Sequence, residues 1–169
     1  MFDDGQLAGL AEDWLVVGTS CDAESVELTA RVIEGIPRGN LRVPRSEFVA
    51  VWSEAERLCE ERRRGGSGGG WYAAGVAHTC RWIAGATVVF NYPQGPKARP
   101  AAAPITHREA RAHEELIESE MLAAERMAIR HPNGIVEEPG WLEAVVATLT
   151  WAWRGSGVPP LEVRRAEAG

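Results

Sequence analysis

RRRGGSGGGWYAAGVAHTCRW, residues 62–82, joins an arginine-rich helix end, a run of glycines and an apolar segment opened by tryptophan. The glycines are either a phosphate cradle or the gap between two helices, and the two readings lead to different folds. A phosphate loop of the G-x-x-x-x-G-K-[S/T] type places a lysine and a hydroxyl at the start of the next helix, but Trp71 and Tyr72 follow here. A dinucleotide fingerprint needs a strand before its glycines, and a helical pattern precedes these. Glycine fills five of the six positions 65–70 without either feature. The run therefore reads as a flexible loop joining two helices.

Upstream, Phe48, Val51, Trp52, Ala55, Leu58 and Cys59 recur at helical spacing, which predicts a helix over 46–64. Ser46 is its expected cap and Gly65-Gly66 its stop, with Arg62, Arg63 and Arg64 in the last turn, where cations suit the helix dipole. Downstream, a helix is expected from Trp71 to about Ala84, and ATVVFNY either extends it or forms a short strand. NYPQGPKARPAAAPI, residues 91–105, carries four prolines and reads as a proline-rich connector, partly extended.

Residues 106–155 form a C-terminal helical portion. Thr106 is the expected cap of a helix over 106–130 whose face carries Ala110, His113, Ile117, Met121, Ala124 and Ala128, and HPNG at 131–134 ends it. A second helix over 139–154 is apolar on nearly every side, so it is either central to a bundle or covered by a partner. GWYAAGVA at 70–77 echoes GWLEAVVA at 140–147, which suggests similar packing roles for Trp71 and Trp141. In the first third, DWLVVGT and SVELTARVI fit strand or helix, and helix over 22–34 is the reading taken. The expected fold is mainly α: a compact single-domain bundle of four or five helices over 1–169. A short N-terminal β-hairpin in the first 45 residues would make it α+β.

The chain has seven tryptophans against three phenylalanines and two tyrosines, and tryptophan serves cores and interfaces alike. Its net charge of −6 opposes a protein that simply coats nucleic acid. Charge is uneven, however: residues 66–105 hold Arg81, Lys97 and Arg99 and no acid. Cys21, Cys59 and Cys80 match neither a disulfide framework nor a zinc pattern, and read as thiols of a reducing compartment. No signal-peptide pattern opens the sequence, and His78 and Arg81 interrupt its most apolar stretch, so a soluble cytoplasmic protein is the expectation.

Chemistry-bearing residues do not assemble into a motif. His107 and His113 lie too far apart around a helix to share a ligand, H-E-x-x-H is absent, and His78 and Cys80 point to different sides of theirs. No catalytic residue, metal or cofactor is assigned. The strongest expectation is a protein–protein interaction module, acting as an accessory subunit, adaptor or small regulator that binds another protein or itself. Trp141, Trp151 and Trp153 are its candidate interface anchors. A nucleic-acid-associated regulator is the first alternative, using a candidate anion patch of Arg38, Arg42 and Arg45 that Arg81, Lys97 and Arg99 could join. A small enzyme with a dispersed His/Glu/Cys site is the second.

Overall fold

The computed structural model describes residues 24–66 and 70–164. The expectations for residues 1–23, including the strand or helix at DWLVVGT and the thiol of Cys21, lie outside these, as do residues 67–69 of the glycine loop. Among the described residues the fold is mainly helical with a small antiparallel sheet. In chain order the elements are β1 (Glu24–Ser25), α1 (Ala30–Glu34), a 3-10 turn (Arg38–Asn40), α2 (Arg45–Arg63), α3 (Gly70–Ile83), β2 (Thr87–Tyr92), β3 (Gly95–Pro100), α4 (Glu114–Arg130) and α5 (Trp141–Ala152).

The four long helices pack in the order α2, α3, α5, α4. The apolar helix α5 is central, with Glu143 its one exposed residue, because α3 covers one side of it and α4 another. Gly75 of α3 allows the closest approach. A Cβ there would sit 2.7 Å from the Trp141 carbonyl oxygen and 2.8 Å from the Ala144 Cβ. Alanine dominates this seam, with Ala73, Ala74, Ala77, Ala144 and Ala152 all buried. Larger side chains fill the flanks, where Phe48 stacks on Trp151 at 6.4 Å between ring centroids and tilts against Trp52 at 6.1 Å.

The proline-rich segment corrects the sequence reading most sharply. It is no simple connector. Residues 95–100 pair with β2 in a hairpin whose two-residue turn is Pro93-Gln94, in the register Tyr92↔Gly95 through Thr87↔Pro100. The Ala101 amide donates to the Ala86 carbonyl at 2.9 Å, so 86/101 is a hydrogen-bonded pair. Alternation along the ladder then puts Pro96 and Pro100 at non-hydrogen-bonded positions, where their missing N–H would have faced outward. Proline thus costs this strand no ladder bond. β1 pairs with the other edge of β2, Glu24↔Phe90 and Ser25↔Val89. A hairpin therefore lies at 87–100, and of the first 45 residues only 24–45 are described, among which β1 is the one strand. Helix over 22–34 is also corrected: among its described residues, 24–34, only Ala30–Glu34 is helical, capped by the Thr29 hydroxyl.

The 106–130 helix starts eight residues later than expected. Thr106 is not its cap. Its amide and hydroxyl both donate to the buried Glu120 carboxylate, which also accepts the Ile105 amide. His107 has φ of 56°, a left-handed backbone that breaks any helix there. Residues 101–113 instead return across the bundle, pinned by Asn40, whose side-chain amide donates to the carbonyls of Ile83 (2.8 Å) and Ala112 (3.1 Å). α2 and α5 fall within two residues of their expected bounds, α2 starting after Pro44 with no side-chain cap from Ser46. Arg63 and Arg64 pair with Glu60, and Arg62 lies 5.1 Å over the Trp71 ring, so the arginine run is occupied across the glycine gap.

Candidate functional site: the β-hairpin and the arginine surface

Trp141, Trp151 and Trp153 are inside the protein. Trp141 sits at the start of α5 with its ring edge-on to His78 at 6.3 Å, and Trp151 belongs to the Phe48 stack. Trp153 is covered by the Arg42 guanidinium at 4.2 Å, and its indole N–H donates to Glu118 at 2.7 Å. All three are core side chains of this chain, which removes them as exposed anchors. The echoed pair also parts company, since Trp71 is only half-buried under Arg62 whereas Trp141 is buried.

The six candidate cations do not form one patch. Arg81 is buried at 3% exposure and makes a bidentate pair with Glu56, both N···O distances being 2.7 Å. Arg42 is turned over Trp153 and donates to the Gly39 carbonyl at 2.7 Å, with Glu114 at 3.7 Å. Arg38 and Arg45 line a shallow depression together with Leu41 and Val43. Lys97 and Arg99 are elsewhere, on β3.

The hairpin carries a surface that the sequence reading missed. Val88, Phe90 and Tyr92 occupy one face of β2, with Arg99 and Lys97 opposite Val88 and Phe90 on the same face. Exposure rises outward along it, from 2% at Val88 through half-buried Phe90 to 40% at Tyr92. Phe90 and Tyr92 stack at 6.1 Å and 25°, and the Lys97 ammonium lies 5.6 Å from the Tyr92 ring. A cation–aromatic face therefore projects from the helices. The period-two spacing of Val88, Phe90 and Tyr92 before Pro-Gln-Gly was its available signal. Between Pro96 and Pro100 the outer edge of β3 offers a partner strand a single N–H donor, that of Ala98, which disfavours strand addition there.

His78, Cys80, His107 and His113 do not form a metal-binding group. Cys80 is wholly buried, and burial pushes its thiol far above the usual range, leaving it a packing group. His113 is exposed beside the start of α4. His78 places Nε2 3.1 Å from the Ala102 carbonyl oxygen, and its pKa is pushed down to about 4, first by burial and then by the Arg81 and His107 charges. Among the described residues no three His, Cys, Asp or Glu side chains are grouped to hold a metal ion, and no helix is long and apolar enough to cross a membrane.

The depressed histidine has a measurable consequence. The unfolded chain takes up this proton near pH 6.5 and the folded chain only near 4, so the stabilising difference is complete above 6.5 and is lost as pH falls from there to 4. Because the ring keeps some solvent contact, the loss is expected to be about 1–2 kcal/mol. Urea unfolding of His78→Gln should show a correspondingly shallower loss of stability over that window. Parallel curves for the two proteins would contradict the burial of a neutral imidazole. In comparisons with known proteins, no family model, no curated protein and no solved structure matched this chain.

Proposed function

We propose that the chain is a protein-interaction module, serving as an accessory subunit, adaptor or small regulator, and that it docks through the β2–β3 hairpin. The observation that carries this reading is the Phe90–Tyr92 stack with Lys97 against it, standing out from the helices on a hairpin whose outer strand, β3, carries prolines. Aromatic rings remove much apolar area on contact at little ordering cost, and a flanking cation selects an acidic counterpart. Residues 66–105 contain Lys97, Arg99 and Arg81 and no acid, and the two cations on β3 favour an acidic partner surface.

The double variant Tyr92→Ala/Lys97→Glu tests this. It removes no core contact, so its melting curve should overlay that of the wild type. Its affinity for the co-purifying partner protein should fall by about 2 kcal/mol, roughly thirtyfold, as for loss of an interface hot spot. Unchanged affinity with an unchanged melt would contradict the assignment.

A further inference from the structure

We propose that the depression lined by Arg38, Leu41, Val43 and Arg45 is a binding site for a small amphipathic carboxylate, an anionic head carried on a short aliphatic body. This site is independent of the hairpin. Between the 3-10 turn and α2 the chain is extended, with Leu41 at φ −119°, ψ 139° and Pro44 at φ −56°, ψ 135°. Alternation along this segment divides its side chains. Leu41 and Val43 face the depression, whereas Arg42 faces the end of α5, its amide donating to the Ala152 carbonyl at 2.8 Å and its guanidinium lying over Trp153. The candidate arginine cluster is thereby split, and the two members left beside Leu41 and Val43 define a mixed lining, two aliphatic groups and two cations.

The cations are placed to receive a ligand. Arg45 is held at one end by its Nη2 donating to the Ile36 carbonyl at 2.9 Å, which fixes the side chain while leaving further N–H donors. Arg38 is exposed, its carbonyl accepts from the Leu41 amide at 3.4 Å, and its guanidinium lines the depression. No carboxylate lines the depression, so two guanidinium groups share it without internal neutralisation. A planar carboxylate matches guanidinium donors, and the half-buried Leu41 and Val43 give its hydrocarbon body a surface to cover. The volume, about 360 Å³, is at the small end of ligand sites and suits a short acid or one residue at a peptide terminus.

An NMR titration of the full chain with 4-methylpentanoate tests the site, with acetate, 4-methylpentan-1-ol and inorganic phosphate as comparison ligands. Saturable amide shifts centred on residues 38–45 are expected. Acetate and the alcohol should each bind at least about tenfold more weakly, since each lacks one half of the match. Arg38→Gln should raise the dissociation constant about fivefold to tenfold while leaving the rest of the spectrum unchanged, because the side chain is exposed and the backbone bond to Leu41 is kept. No saturable shift, shifts centred elsewhere, an unaltered constant in Arg38→Gln, or phosphate binding as tightly as 4-methylpentanoate would each overturn the proposal. N-acetyl-leucine separates the two sources of this chemistry: tighter binding than the free acid points to the C-terminal residue of a polypeptide, and weaker binding to a free carboxylic acid.

Discussion

Replacing Arg81 with alanine is expected to destabilise the fold by about 3–5 kcal/mol, the cost of leaving one member of a buried ion pair uncompensated. Glu56 gathers three donors, the Arg81 Nε and Nη2 at 2.7 Å and the Trp52 indole N–H at 2.9 Å. Without Arg81 the carboxylate keeps only the indole, in a site where its side chain is 11% exposed. A loss of this size is a large fraction of the 5–15 kcal/mol that holds a typical domain folded. The double variant Arg81→Met/Glu56→Leu should recover most of the loss, because apolar groups of similar volume carry no desolvation penalty. Urea unfolding followed by circular dichroism decides it. A cost under about 1 kcal/mol for Arg81→Ala would place this pair with exposed ones, and the account of the α2–α3 contact would fail.

The α3–α5 seam sets the second large effect. Gly75→Ala should destabilise by about 3 kcal/mol and lower Tm by roughly 6–12 °C for a domain of this size. Alanine is favoured over glycine within a helix by about 1 kcal/mol, so the sign of the change depends on the collision. The collision wins because the nearest atom is the Trp141 carbonyl oxygen at 2.7 Å, part of a helix backbone that cannot swing aside. Ala144→Gly in the same chain should rescue only part of the loss, since it removes the Cβ contact at 2.8 Å and leaves the carbonyl. A Gly75→Ala protein as stable as the wild type would show that the helices do not approach this closely.

These two contacts explain which parts of the structure were legible in the sequence. α2 was readable because Phe48, Val51, Trp52, Ala55 and Cys59 recur with helical period and are all buried. α5 was readable because its composition left no polar face, and the structure answers the question that composition raised by placing it between α3 and α4. The hairpin was obscured by its prolines, which signal a break unless the ladder's pairing pattern is known, and that pattern depends on register with β2. The start of α4 was hidden for a similar reason. Thr106 looks like a cap locally, but its hydroxyl and amide are taken by Glu120, fourteen residues on.

Site residues were less legible than the fold, because residue type does not reveal direction. Tryptophans 141, 151 and 153 are chemically suited to an interface, and three-dimensional packing puts them in the core. Arg38, Arg42 and Arg45 fall within eight residues of sequence, yet strand-like alternation sends Arg42 to Trp153 and leaves the other two beside Leu41 and Val43. Tyr92 and Lys97 meet because a two-residue turn folds one strand onto the next.

The hairpin's role as the docking surface is the central claim, and site-specific photo-crosslinking tests it most directly. A photoreactive phenylalanine derivative would replace Tyr92 in the full chain within its own cells, with the same group at Val136, 87% exposed, as the control. The account predicts one discrete protein adduct from position 92 and none of that mass from position 136. No adduct at 92, an adduct that nuclease removes, or the same adduct at both positions would contradict it.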